Sequence, residues 1–466
     1  MNFFETIYTT LKNDQAKTFI YWTYGSSTGK SLLEKISGIK TLLSCSRTNS
    51  THEVLIATQV GEDLISAILA AMSLGAIPVL PPAGNSPLQL LKLIRRRKIR
   101  RIIVSRASFS LRLAAFFTSF KIIELAKAKR GSVNFSLKTL LPHHIGLITH
   151  TSGSTGRPKA IYRSHKVLLA QHEVLKQCFP PFEAQVDFPL FPNILLHNLS
   201  SGTVSLLPEI KNFDLGLLEE GEIVQQLQKK RPHTLTGNVY YFKKLLKYFS
   251  TRKITINGVR ALGIGGSPVP EILIKELKEF FPQTEIYIIY GSSEAEPIAI
   301  RRCEEAIKDL TYGYCVGNAA PGVEIEIDKT SSLLISDTET VHVGEIKVKG
   351  KHVATAGEWL KTGDWGYIKN DLLYLTARSG NERIHNGLQH YQIEQVLSNV
   401  DDVEMAAAII VPDGVEVFYT GRAEETILRE ALTINFPGAN IKKTSKIKNL
   451  PVDTRHRSKV LYEKLK

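Results

Sequence analysis

Short apolar runs alternate with helical patterns from about residue 53 to residue 300. Residues 54–57 predict a strand and 63–74 a helix, followed by a second strand over 77–80. Leu88, Leu90, Leu91, Leu93 and Ile94 then mark a helix over 88–94, and 102–104 reads as another strand. This alternation builds βαβ units and a largely parallel sheet. It resumes at 145–149, 260–264 and 285–289, each time running into a Gly/Ser-rich turn. Ligands of open α/β sheets sit beyond the carboxyl ends of the strands, so those three turns are where chemistry is expected.

Beyond residue 300 the texture changes to short alternating segments at 324–327, 333–335 and 345–348, the pattern of an antiparallel β region. A polar, glycine-containing stretch over 377–387 (Arg378, Ser379, Gly380, Asn381, Glu382, Arg383) predicts an interdomain linker. The expected fold is α/β. A large N-terminal lobe, 1–378, holds mostly parallel sheets flanked by helices plus the β region, and 379–466 forms a small α+β lobe. A length of 466 residues agrees, being too great for one ordinary hydrophobic core.

Composition narrows the class. With 43% hydrophobic and 22% charged residues the chain is of the globular type. No apolar run approaches the length that spans a bilayer. Residues 1–12 lack the basic-then-apolar order of a signal peptide, so a cytoplasmic location is expected. Cys45, Cys178, Cys303 and Cys315 form no C-x-x-C pair, and four reduced, packed thiols are expected. The net charge of +14 raises the question of a polyanionic partner. Its densest run, Arg95, Arg96, Arg97, Lys98, Arg100 and Arg101, ends an amphipathic helix and has no interleaved aromatics to stack bases. A solvated helix end is expected, with a carrier protein or lipid headgroup as the lesser alternative. Nucleic acid is not required.

The segment richest in chemistry is Thr149, His150, Thr151, Ser152, Gly153, Ser154, Thr155, Gly156, Arg157, Pro158, Lys159. Glycines let backbone N–H groups close on an anion, while hydroxyls and a lysine add donors, which is what a triphosphate needs. It is not a Walker A loop, because Pro158 precedes Lys159 and no Ser or Thr follows. A Ser/Gly loop alone is more often a plain turn, but this residue order resembles the phosphate-binding signature of the acyl-CoA synthetase-like adenylate-forming superfamily.

The resemblance continues along the chain. Tyr290, Gly291, Ser292, Ser293, Glu294 is similar to the superfamily's Tyr-Gly-x-Thr-Glu element, with Ser293 in the Thr position. It implies that Tyr290 stacks on adenine and that Glu294, with Thr151, serves Mg²⁺. Gly265, Gly266 and Ser267 resemble the glycine-rich strand end beside the nucleotide and acyl pocket. Thr362, Gly363, Asp364 matches the element whose aspartate takes the ribose hydroxyls, and Arg378 stands where a ribose- or phosphate-contacting arginine is found. The closing stretch Leu450, Pro451, Val452, Asp453, Thr454, Arg455, His456, Arg457, Ser458, Lys459 is similar to the end of family members, whose lysine swings in on the substrate carboxylate and α-phosphate. Lys459 is that candidate, together with Glu294 and Thr151 as catalytic residues and the 379–466 lobe as a mobile one. Taken singly, each of these motifs has a bland reading as a turn or a surface charge; their order over residues 50–466 makes the resemblance specific.

Three positions depart from the pattern. Gly380 replaces the usual hinge Asp or Lys, Pro192 stands where many acyl-CoA synthetases have His, and the terminal lobe is short. The segment Asp187, Phe188, Pro189, Leu190, Phe191, Pro192 and the 451–459 ending resemble the fatty-acid ligase-like β-lactone synthetases of long-chain olefin biosynthesis. The resemblance implies adenylation of a fatty or other non-amino carboxylic acid with ATP and Mg²⁺. Transfer to CoA or carrier-protein phosphopantetheine then follows, an acyl carrier protein being one partner. The alternatives are β-lactone closure of a β-hydroxy acid without CoA, and a non-catalytic nucleotide-binding relative. Asp187 is read as a strand-end residue, and 193–199 and 239–246 as either an apolar tunnel or core.

Overall fold

In the computed structural model the strand expected at 54–57 forms as Glu53–Ile56, inside a six-stranded sheet. The order is Lys121–Glu124, Arg101–Val104, Glu53–Ile56, Ile77–Val79, Ile145–Thr151, Lys159–Ser164. The first five run parallel and the last returns antiparallel. The structure describes residues 2–82, 87–108, 111–113, 115, 120–151, 159–336, 339–355, 357–454 and 456–465, in two compact units, Met1–Thr236 and Gly237–Lys466.

Period-two alternation divides this sheet between two cores. Val54, Ile56, Ile103 and Leu147 join the cluster that contains helices Gly29–Cys45 and Glu62–Ser73. Leu55, Val79, Ile102, Val104 and Ile148 face the other way, beneath Leu90, Leu91, Leu93 and Ile94 of helix Pro87–Arg97. Helix Glu62–Ser73 is buried on all sides from Leu64 to Ser73. Its two acidic first-turn residues are anchored by Lys35, whose Nζ lies 2.5 Å from both Glu62 and Asp63.

The basic run at 95–101 is only partly the solvated helix end expected of it. Arg97 donates to both carboxylate oxygens of Glu53 at 2.5 and 2.7 Å. Arg101 is buried and donates to the carbonyls of Ser46 and Arg47. Strand Glu53–Ile56 and the end of helix Gly29–Cys45 bring carboxylate and carbonyl oxygens to them, a pairing that no local pattern encodes. Arg95, Arg96, Lys98 and Arg100 remain exposed.

A second run of strands in the first unit orders residues 234–236, Val186–Pro189, Val204–Leu206 and Thr18–Trp22 in parallel, with Gly25–Thr28 antiparallel at the edge. Asp187 is the second residue of its strand and fully enclosed. It accepts from Thr234 Oγ1 at 2.7 Å and Asn198 Nδ2 at 2.9 Å, and burial pushes its pKa up to about 6. Leu195, Leu196 and Leu199 pack in the first unit's core.

In the second unit, Ala261–Gly265 and Glu285–Ser292 are parallel. Ala295–Cys303, Tyr314–Ala319, Leu372–Arg378, Leu360–Lys369, Glu339–Gly350 and Val323–Ser336 continue antiparallel. The segments expected separately at 324–327 and 333–335 are one strand, because its partner supplies ladder bonds across the polar residues between them, with a bulge between Lys329 and Ser331. Tyr241, Phe242, Leu245 and Leu246 of helix Val239–Arg252 are buried. The terminal segment forms the expected small α+β body. Strands Val403–Val411, Gly414–Gly421 and Ile441–Lys446 pack with helices His390–Leu397 and Glu425–Asn435 around Leu397, Ile410, Val417, Leu428 and Leu432. No helix among the described residues is long and apolar enough to cross a membrane.

Two histidines, His165 buried and His197 half-buried, predict an acid sensitivity of the first unit. Burial and the neighbouring His172 push His197 down to about 3, with the two Nδ1 atoms 2.9 Å apart. Burial and His144 push His165 down to about 4. Both depressed values favour the neutral ring in the folded state, so their stabilisation is complete above the unfolded value near 6.5 and is lost as pH falls towards 4. Asp187, raised, works oppositely and contributes below about 6. The full terms are about 5 kcal/mol for His197 and about 3 kcal/mol for His165, so the two losses outweigh the one gain. The thermal midpoint should fall between pH 6.5 and 4, less steeply in His197→Asn. An unchanged slope in that variant would overturn the assignment.

Candidate active site

The site grows from the carboxyl end of strand Glu285–Ser292. The turn expected after 289 arrives three residues later, because Tyr290 pairs with Ala299 and Ser292 with Ala295. Ser293 and Glu294 then make the tight return, and Glu294 O accepts from Ala354 N at 2.8 Å. Gly291 is required here, since a Cβ would stand 2.7 Å from the Ala295 carbonyl oxygen. The parallel neighbour Ala261–Gly265 ends beside it, with Gly265 packed on Ile289 O and Gly266 at φ +84.

Strand Leu360–Lys369 carries Thr362, Gly363 and Asp364 in its body, with Asp364 paired in register to Arg378. The Gly363 φ of +74 lets the Arg378 guanidinium lie across it, 3.6 Å from where a Cβ would be. One carboxylate oxygen of Asp364 accepts from Tyr290 Oη at 2.8 Å and the other from Arg378 Nη1 at 2.5 Å. Burial and the Asp364 charge hold the Tyr290 pKa well above its usual value, so the phenol stays a donor. The same charge raises the pKa of Arg378. Each Asp364 oxygen has two lone pairs, so each keeps accepting capacity beyond the one bond described.

Arg378 is fixed from behind. Its backbone N–H donates to His390 Nε2 at 3.0 Å, which leaves Nδ1–H to donate to Glu394 at 3.0 Å. Glu394 also accepts from Ala408 N at 2.9 Å and Tyr462 Oη at 2.9 Å.

Lys459 ends a small closed loop. Val452 bridges Val460, and Asp453 N donates to Lys459 O at 2.8 Å. The buried Asp453 carboxylate accepts from His456 N at 2.7 Å. Two contacts hold the loop from outside. Asn238 Nδ2 donates to His456 O at 2.8 Å, and the Ser267 and Ser458 hydroxyls meet at 2.9 Å. Asn238 is itself immobilised as the N-cap of helix Val239–Arg252, its Oδ1 accepting from Tyr241 N at 2.9 Å. Burial and the nearby Arg378 lower the Lys459 pKa, while Asp364, Asp453 and Glu294 partly restore it. An ammonium in that balance is stabilised by any anion brought to it.

Tyr290, Asp364, Arg378, Lys459 and Glu294 are thus brought together, with Gly265, Gly266, Ser267, Gly291, Ser292 and Ser293 on the turns beside them. Thr151 and Lys159 belong to the first unit, paired across strands Ile145–Thr151 and Lys159–Ser164, with Lys159 exposed. Ser152, Gly153, Ser154, Thr155 and Gly156 lie outside the described residues, as does the Thr151 side chain. Sequence reasoning missed Asn238, His390 and Glu394. Their signals were present, as an Asn directly before a helical pattern and a His/Glu pair four apart.

Comparison with known proteins gives this cluster a context. A 4-coumarate–CoA ligase-like protein of Arabidopsis thaliana is 29% identical over 348 residues, 66% of this chain and 60% of its own length. An olefin β-lactone synthetase of Stenotrophomonas maltophilia is 24% identical over 396 residues, 75% of this chain and 70% of its own. The chain therefore spans about 60% of the Arabidopsis relative. The O-succinylbenzoate coenzyme A synthetase of Bacillus subtilis, solved with ATP and magnesium, superposes with a TM-score of 0.80 at 18% identity, covering 100% of this chain and 99% of that one. The model of the AMP-binding enzyme family matches residues 8–356, and the chain belongs to that family.

Proposed function

We propose that this protein activates a carboxylic acid with ATP, forming an acyl-adenylate and pyrophosphate, and then passes the acyl group to a thiol. The observation that carries the reading is Asp364 held between Tyr290 and Arg378 with the Lys459 ammonium close by. The free accepting capacity of Asp364 suits a ribose diol, and the charge-starved Lys459 suits a phosphate, so the residues fit a nucleotide. Attack of the substrate carboxylate on the α-phosphorus builds negative charge on the phosphoryl oxygens, and Lys459 and Arg378 are positioned to stabilise it. Tyr290 is assigned to the adenine face, and Thr151, Ser152, Gly153, Ser154, Thr155, Gly156 and Lys159 to the triphosphate. Glu294, with Thr151, is assigned to Mg²⁺, a hard ion that would neutralise phosphate charge.

Residues 379–466 are read as a moving lobe that turns at Gly380, whose φ of +94 only glycine adopts without strain. We assign a fatty or other non-amino acid as substrate and CoA as acceptor, with carrier-protein phosphopantetheine second. The cytoplasmic nucleotide pool is the setting such a reaction calls for. A second reading, intramolecular closure of a β-hydroxyacyl-adenylate to a β-lactone, is favoured by the 396-residue alignment with the olefin β-lactone synthetase. In that case the substrate's own hydroxyl displaces AMP and no thiol enters.

Carboxylate-dependent ATP–pyrophosphate exchange tests the first step. Exchange should fall by about 100-fold or more in Lys459→Ala. The proposal is sunk if no acid from a panel of chain lengths, β-hydroxy acids and aryl acids supports exchange. AMP release from β-hydroxy acids without CoA would put the lactone reading first.

Asn238→Ser tests the loop. Serine keeps the helix cap but removes the Nδ2 donor to His456 O, so thermal stability should hold while exchange turnover drops by roughly 10- to 100-fold. Thioester formation from supplied acyl-adenylate should fall much less. Equal losses in both steps would remove the positioning role.

A further inference from the structure

The protein's entire positive surplus comes from one stretch. Between residues 64 and 172 stand eighteen Lys and Arg against a single carboxylate, Glu124, a local charge of +17. Since the whole chain carries +14, everything outside that stretch sums to −3. Glu124 is already taken by Arg112 and Lys127, at 2.9 and 2.8 Å. This surplus is independent of the catalytic proposal, for which only the phosphate-loop residues of the stretch are used.

Five exposed bases of the stretch lie on one layer. Helix Pro87–Arg97 and the short segment that carries Leu111 and Ala115 pack on the same side of the six-stranded sheet, through Leu90, Leu91, Leu93 and Ile94 from the helix and Leu111 and Ala115 from the second segment. Their other faces are turned outward. There Lys92, Arg95, Arg96 and Lys98 are exposed, and Arg112 is 56% exposed even with its partner. Between the bases stand Leu88, 70% exposed, and Leu113, 50% exposed. Tyr162, 48% exposed, adjoins them beneath the Arg97 guanidinium, 5.3 Å from its ring centroid.

We infer that this layer is a docking face for an anionic lipid bilayer. Bases on long, flexible stems meet a diffuse negative surface without needing a fixed pattern of partners. The exposed leucines gain by entering the acyl boundary. They offer nothing to a nucleic-acid backbone. A folded acidic protein would be read by a definite set of charge positions, whereas here bulky apolar side chains interrupt the charge. Docked this way, the face would bring an enzyme acting on a lipid-soluble acid to its source.

Co-sedimentation of the full chain with vesicles tests the inference. Phosphatidylcholine vesicles containing phosphatidylglycerol should bind it at low ionic strength, pure phosphatidylcholine should not, and added salt should weaken the attachment. Each base removed should cost about fivefold in partition, so Lys92→Gln with Arg95→Gln and Arg96→Gln should lose about 100-fold. The double replacement of Arg95 and Arg96 by Lys should retain binding, a control that the helix is intact. Leu88→Ser with Leu113→Ser should weaken the part of the binding that survives salt. The inference is overturned if anionic vesicles do not bind the protein or if the triple variant binds as the parent does. It also fails if a single-stranded oligonucleotide or an acidic carrier protein competes at lower concentration than the vesicles.

Discussion

Asp364 is one carboxylate shared between two donors, and the second unit's candidate site is arranged around that sharing. Tyr290 reaches it from the strand that ends in the Ser293–Glu294 turn, Arg378 from the adjacent strand across the left-handed Gly363. Without either partner, an oxygen of Asp364 would lose the donor that orients it. With both partners present the arginine stays charged and the tyrosine protonated, and accepting capacity is left for a ligand.

The consequences extend to the terminal lobe. The backbone of Arg378 is tied through His390 to Glu394, which also gathers Ala408 and Tyr462 from that lobe. The Lys459 loop is tied by Asn238 and Ser267 to elements far earlier in the chain. Lys459 is therefore held by hydrogen bonds to its loop, while burial and the nearby Arg378 lower its pKa.

Charge elsewhere in the chain obeys a different logic. Arg97 and Arg101 are structural, answering Glu53 and the Ser46 and Arg47 carbonyls, whereas their neighbours Arg95, Arg96 and Lys98 stay in solvent. A basic run of one sequence texture thus serves two purposes, decided by which side of the helix end each residue occupies.

The amino-acid sequence by itself determined the element types, since period-two and helical spacings are local properties of the chain, and the strands at 54, 77, 102, 145, 261 and 285 formed where expected. It also singled out Tyr290, Thr362–Asp364 and Lys459 as candidates, because each is recognisable from its immediate neighbours. Where a strand stops was less legible: 285–289 extends to Ser292 and 324–335 fuses into one strand, because a ladder's length depends on the partner across it. Tertiary structure alone decided that Tyr290 and Arg378 would share Asp364, that a helix cap at Asn238 would steady a loop 218 residues away, and that Asp187 would be enclosed in the first unit's core. Those outcomes depend on hydrogen bonds and burial between distant segments, whose energies exist only once the chain has folded.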